Sequence, residues 1–440
     1  MASAVLRLTG AVLADPVSMT FAPRDIRIEG GAIEGIHPPG SLSGAGEGRE
    51  IDLCRCILAP GLTDLHVHLR EPGGEENETI EAGLRAAAAG GFATVCTMPN
   101  SGSPADHPDI VRYIKEKAEA LALAEALPIA AITKGLSGQE ITDMAALQAA
   151  GAVAFSDDGM PIADSAMMEE ALLLAKALDA PIIDHCEDPL LKRGGVVHQG
   201  EVARALGLPG ISAASEAVPI ARNILLAQKT GARMHIAHLS TKEGVSLLAY
   251  AAQQNIDVTA EATPHHIRLT DDALAGYNAN AKVSPPLRSE EHRRAVAEAV
   301  KSGLIGCIAT DHAPWSAASK AREFLLAPNG ICGLETALAV AWDTLVVREG
   351  LPVLDLLARF ILGPAKVLGR KPAAIAPGLP ANLVAIDPQL VKEVAPDTFY
   401  SKGRNSPFAG MRLQGWPVLT IFQGRVVMES GIVVGGNVIG

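Results

Sequence analysis

The chain has 440 residues, of which 48% are hydrophobic, 20% charged and only 3% aromatic. That balance describes a folded globular protein with a core of small aliphatic side chains and excludes a disordered one. A net charge of −12 with no Lys/Arg block gives no reason to propose nucleic acid as a partner.

The N-terminus, MASAVLRLTGAVLADP, carries a short apolar stretch broken by Arg7 and Gly10, which does not make a signal peptide. No window approaches the roughly 18 uninterrupted apolar residues of a membrane span. The six cysteines show no C-x-x-C pair and no framework spacing, so they are expected to be reduced and mostly buried. These features together predict a cytoplasmic protein.

Residues 1–58 read as short strands with turns: VLRLTGAVL, DIRIEGGAIEGI, then REIDLCRCILAP. Residues 59–370 alternate instead between apolar runs and helical stretches. The runs are ILAPGLTDLHVHL (57–69), GGFATVCTMPN (90–100), LPIAAITKG (127–135), GAVAFSDDG (151–159), APIIDHCED (180–188), ARMHIAHLS (232–240), IDVTAEATPHH (256–266) and IGCIATDHAP (305–314). Between them, ETIEAGLRAAAAG, DIVRYIKEKAEALALAEA, MMEEALLLAKAL, AVPIARNILLAQKTG and RRAVAEAVKSG carry the i, i+3, i+4 apolar spacing of helices. Residues 371–440 return to the style of the N-terminus in NLVAIDP and VLTIFQGRVVMESGIVVGG. The prediction is an α/β protein: a (β/α)₈ barrel with a small discontinuous β-sandwich domain built from both termini. An open doubly wound sheet would normally carry a Gly-rich phosphate loop after its first strand, and none is present.

Polar residues fall at the C-terminal end of nearly every run, and in a barrel those ends surround one mouth. His66 and His68 are two apart on a strand, so both imidazoles point the same way and can share a metal. Hydrogen-bonded core histidines are the alternative for an isolated pair. His185 and His238 end the fifth and sixth runs, and His265 and His266 the seventh. Imidazoles suit zinc and related divalent ions. Only one of Asp157 and Asp158 should face the mouth, where a carboxylate could bridge two metals. Asp311 ends the eighth run, where a carboxylate could ligate a metal and take a proton from the attacking water. Asp64 lies on the same face as the first histidines and is expected to be a structural acceptor. Arg70 matches a substrate carboxylate, or else a salt bridge at the rim. Asn100 suits a substrate amide or a Pro-Asn turn.

With these residues assembled, the chain resembles the dihydroorotases of the amidohydrolase superfamily along nearly its full length. APGLTDLHVHLREPG, TMPNSGSP, FSDDG, IIDHCED, HIAHLSTKEG, VTAEATPHH, PPLR and IATDHAP follow that family's pattern in order. The resemblance implies one or two zinc ions held by His66, His68, Asp158, His185, His238 and Asp311. Asp158, rather than Asp157, stands where other members keep a carboxylated lysine. His68, Arg70 and Asn100 would contact substrate, with Arg70 on its carboxylate, and Asp311 would shuttle the proton. The implied reaction is the reversible conversion of dihydroorotate to N-carbamoyl-L-aspartate in pyrimidine synthesis. A homodimer, or a complex with aspartate carbamoyltransferase, is the implied assembly.

Three substrate-side positions depart from the pattern: Ser284 for Asn, Trp315 for His, and Asn329-Gly330 for Phe-Gly. They leave open a related hydrolase acting on hydantoins, allantoin or another cyclic amide. A non-catalytic scaffold for the carbamoyltransferase is the remaining alternative, disfavoured because every metal ligand is intact. The segment WSAASKAREFLLAPNG is a candidate lid over the mouth.

Overall fold

The computed structural model describes residues 5–44 and 46–435, so residues 1–4, Ala45 and 436–440 of the terminal segments lie outside the described residues. Eight parallel strands form the barrel: β1 (Leu62–Val67), β2 (Phe92–Thr97), β3 (Glu125–Ala130), β4 (Ala154–Phe155), β5 (Ile182–Asp184), β6 (Met234–Ile236), β7 (Val258–Ala262) and β8 (Cys307–Ile308). Each pairs with its neighbour in sequence. The ring closes where Val67 bridges His312 in parallel and His68 N donates to His312 O at 2.8 Å. These strands read as continuous apolar runs because both of their faces are covered.

A helix follows each strand: α1 (Ile80–Ala89), α2 (Pro108–Leu121), α3 (Met144–Ala150), α4 (Ser165–Ala177), α5 (Ala214–Thr230), α6 (Lys242–Gln253), α7 (Glu290–Ser302) and α8 (Val353–Leu368). Local chemistry sets their starts. The Thr79 hydroxyl caps α1 by accepting from Ala82 N at 3.1 Å, and Ile80, Leu84, Ala87 and Ala88 turn inward. Phe92 of β2 is fully buried and meets Phe360 of α8 edge-on, with ring centroids 6.0 Å apart. Phe92→Ala is expected to cost about 3–5 kcal/mol, read as a lowered urea midpoint at unchanged slope.

Both termini contribute to a two-sheet sandwich. One sheet holds Leu6–Thr9, Asp25–Glu29, Ala32–His37 and Arg49–Asp52. The other joins Val12–Asp15, Thr20–Pro23 and Ile57–Pro60 to Leu383–Glu393, Arg412–Phe422, Arg425–Glu429 and Ile432–Val433. Leu8, Ile26, Ile28, Leu58, Leu383, Ala385 and Ile421 form the core between them. No helix among the described residues is long and apolar enough to cross a membrane.

Two sequence expectations change. The run 57–69 is two strands, because Ile57–Pro60 pairs with Leu383–Ile386 of the sandwich before the barrel begins. The chain crosses at Gly61, where a Cβ would stand 2.4 Å from the Ala93 Cβ. The helical stretch 109–126 also ends early. Ala122 takes a left-handed φ of 51°, and Glu125–Ala130 becomes β3 by pairing with β2. Ala, Leu and Glu there are good helix formers, but sheet pairing overrides local propensity.

Candidate metal centre

The strand ends bring His66, His68, Asp158, His185, His238 and Asp311 to one mouth. All six are buried. The rings of His66 and His68 stand 5.2 Å apart on the same side of β1. Asp158 Oδ1 lies 3.4 Å from His66 Nε2 and 3.7 Å from both His185 Nδ1 and His238 Nε2. Its Oδ2 lies 3.6 Å from His68 Nε2, and Asp311 Oδ1 lies 3.1 Å from that same nitrogen. Two groups with metal-ligand spacing result, His66–His68–Asp158 and Asp158–His185–His238, and they share Asp158.

Asp157 faces away. Its Oδ1 accepts from Ile132 N at 2.8 Å and Thr133 N at 2.9 Å, which ties β4 to the end of β3. Asp64 is an acceptor too, taking His66 N at 3.2 Å, Thr310 N at 2.9 Å and the Thr310 hydroxyl at 2.6 Å. It locks β1 to β8.

Hydrogen bonds fix which nitrogens are free. Glu261 of β7 receives His66 Nδ1 at 2.8 Å, His235 Nε2 at 3.2 Å and His238 N at 3.3 Å. Burial opposes its charge, but His235 and His66 hold the carboxyl down at about 2. His66 therefore donates from Nδ1 and presents the lone pair of Nε2 to the centre. His68 likewise donates from Nδ1 to Asn100 Oδ1 at 2.6 Å. Burial alone would raise the Asp158 carboxyl, yet His66, His238 and His68 hold it well below the usual carboxylate range.

His66 Nε2 and Asp158 Oδ1 are both buried without a hydrogen-bond partner although they face each other. Buried polar atoms are rarely left so. Imidazole nitrogens and carboxylate oxygens at this spacing fit a divalent cation. Backbone strain gathers here as well: Arg70, His238 and Asp311 have positive φ values of 58°, 33° and 47°. Such conformations cost on the order of 1–3 kcal/mol each and concentrate at functional sites.

The substrate-side residues fall in two places. Asn100 is committed inside the cluster, since its Nδ2 donates to Asp158 O at 3.1 Å and Asp158 Oδ2 at 3.2 Å. Ser284 lies on the His185 side, with its hydroxyl 3.4 Å from Glu187 Oε1 and 3.3 Å from Lys192 Nζ. Arg70, Trp315, Asn329 and Gly330 meet in a second place. The Arg70 guanidinium stacks 4.6 Å from the Trp315 ring centroid, and Trp315 Nε1 donates to Asn329 O at 2.7 Å.

Several residues went unnoticed in the sequence. Glu261 was visible only as an acid inside an apolar strand. Glu187 lies 3.5 Å from His185 Nε2 and is held by Lys192 at 2.5 Å. Two buried lysines anchor the candidate lid: Lys282 Nζ donates to the carbonyls of Phe324, Leu325 and Ala327, and Lys320 Nζ to those of Pro328 and Gly330. Burial and the neighbouring Lys282 push the Lys320 amine down to about 7. Glu261→Gln is expected to weaken metal affinity by about 10–100-fold, measured by competition with a chromogenic chelator.

Residues 55–244 match the family described as Dihydro-orotase-like. The chain is 45% identical over 431 residues to the dihydroorotase of Pelotomaculum thermopropionicum, covering 97% of this chain and 99% of that one. It is 47% identical over 407 residues to the dihydroorotase of Geobacillus kaustophilus, covering 92% and 95%. Among solved structures, the L-hydantoinase (dihydropyrimidinase) of Arthrobacter aurescens superimposes with a TM-score of 0.87 at 25% identity, over 98% of this chain and 97% of that one. A D-hydantoinase from Thermus sp. shares the fold at a TM-score of 0.84 and 24% identity, covering 98% and 96%.

Proposed function

The chain belongs to the dihydroorotase family, and from that premise we propose that it catalyses the reversible hydrolysis of dihydroorotate to N-carbamoyl-L-aspartate. The observation that carries this reading is the convergence of four histidines and two aspartates on one buried mouth, with Arg70 beside it.

We assign His66, His68, Asp158, His185, His238 and Asp311 as the residues that hold one or two zinc ions. Bound zinc would polarise the ring carbonyl and lower the pKa of the attacking water. Every other part of the reaction falls to the chain itself. Arg70 takes the substrate carboxylate through its guanidinium fork, since Nη1 and Nη2 have no partner among the described residues and only Nε bonds, at 3.4 Å, to Pro314 O. Asn100 keeps the tautomer of His68 and ties it to Asp158. Asp311 accepts the proton of the attacking water as the C–O bond forms. It returns that proton to the ring nitrogen as the C–N amide bond breaks. Its Oδ1 lies 3.1 Å from His68 Nε2.

A second reading, hydrolysis of a cyclic amide that lacks the carboxylate, is favoured by one observation: Trp315 stands where the family pattern has a histidine. Turnover measured in both directions with dihydroorotate, beside dihydrouracil and hydantoin, separates the two. Activity confined to dihydroorotate supports the first. A zinc-loaded protein inactive on it but active on hydantoin supports the second.

A further inference from the structure

Trp315 occupies a position where its own polar atom is already spent. The indole Nε1 donates to Asn329 O at 2.7 Å, and the backbone N donates to Asn405 Oδ1 at 3.1 Å. Asn405 Nδ2 in turn donates to Ala313 O at 3.1 Å and Gly330 O at 2.8 Å, so one amide staples the segment after β8 to the segment that carries Asn329. Gly330 has a φ of 126°, and a Cβ there would stand 2.6 Å from the Ala313 Cβ and 3.3 Å from Trp315 Nε1. Only glycine fits here, because any Cβ would collide with Ala313 and press on the indole N–H. The indole N–H and the Trp315 backbone are therefore both held before any ligand arrives.

What that plane faces is the Arg70 guanidinium, 4.6 Å from the ring centroid. Arg70 forms no ion pair among the described residues, even though the centre beside it is rich in carboxylates. A long side chain on a left-handed residue, with one weak hydrogen bond, would otherwise sample many rotamers. Stacking on an indole held through its N–H reduces that freedom at the face and leaves the fork edge open.

We propose that Trp315 is a positioning residue that holds Arg70 in register for a substrate carboxylate and does not itself donate to substrate. This rests on the dihydroorotate reading only in the choice of ligand. The chain replaces a second hydrogen-bond donor with a stacking platform, so carboxylate recognition depends on one pre-set guanidinium.

The test uses the full-length, zinc-loaded protein and orotate, a planar ring bearing the same carboxylate, as a binding probe that needs no turnover. Trp315→Ala is expected to weaken orotate binding by about tenfold, the scale of a partly desolvated cation–π contact. Trp315→Phe keeps the ring face and is expected to lose less than about threefold. In the Arg70→Ala background, Trp315→Ala should add almost nothing, because the two residues act as one unit. With dihydroorotate the loss should appear in KM and not in kcat.

The proposal is overturned if Trp315→Ala binds orotate like the parent, if Trp315→Phe is as weak as Trp315→Ala, if the losses of Trp315 and Arg70 simply add, or if the parent binds no orotate. A parent that binds orotate but does not hydrolyse dihydroorotate refutes the proposed function and leaves the role of Trp315 standing.

Discussion

Asp311→Asn is expected to lower kcat for dihydroorotate by about 10²–10⁴-fold, the usual worth of a positioned acid–base group. Metal should remain, though held less tightly, because each group with ligand spacing keeps three donors when Asp311 is lost. The asparagine preserves shape and can still meet His68, 3.1 Å away in the parent. It cannot take a proton from water. Steady-state kinetics beside metal analysis give the answer: a loss confined to kcat with metal retained agrees with the assignment. A drop of less than about tenfold would remove Asp311 from the proton path.

Asp158→Ala should be more severe, and for a different reason. Asp158 alone belongs to both donor groups, so its loss dismantles both together. Four buried imidazoles then lose the carboxylate that balances a bound cation. The expected result is protein purified with little metal and a fall in kcat/KM of about 10³-fold or more, since several kcal/mol of electrostatic stabilisation convert at about 1.4 kcal/mol per tenfold. Asp157→Asn is the control. Among the described residues the Asp157 carboxylate bonds only to Ile132 and Thr133, so that variant should lose stability and keep its metal. Metal content by atomic emission distinguishes the two aspartates directly. Equal behaviour of the two variants would contradict the assignment of Asp158.

The barrel was legible in the sequence because its strands are buried on both faces and its helices on one. Continuous apolar runs therefore alternate with 3.6-residue periodicity. His66, His68, His185, His238 and Asp311 stood out as polar residues at the ends of those runs. Choosing between Asp157 and Asp158 needed the family pattern, since strand alternation says only that one of them faces inward. The break at Gly61 was hidden because ILAP and LTDLHV are both apolar; only pairing with Leu383–Ile386 tells them apart. Ala122 was hidden because the turn after α2 is written in helix-forming residues. The contacts of Glu261 and Asn405 were hidden for a further reason. The first bonds to His66 across 195 positions and the second to Trp315 across 90, and neither contact leaves a periodic trace in the sequence. Trp315 itself reads in sequence as an altered substrate contact. In three dimensions its N–H is occupied and its face lies on Arg70.

A mouth that opens the ring of dihydroorotate with the help of a bound metal must lose that activity when the metal is removed. The most direct measurement is hydrolysis of dihydroorotate by protein stripped of metal and then titrated with zinc. No turnover is expected in the stripped protein, and activity should rise in step with zinc bound, levelling at one or two ions per chain. Turnover that persists under chelation, or a fully loaded protein that leaves dihydroorotate intact, would contradict it.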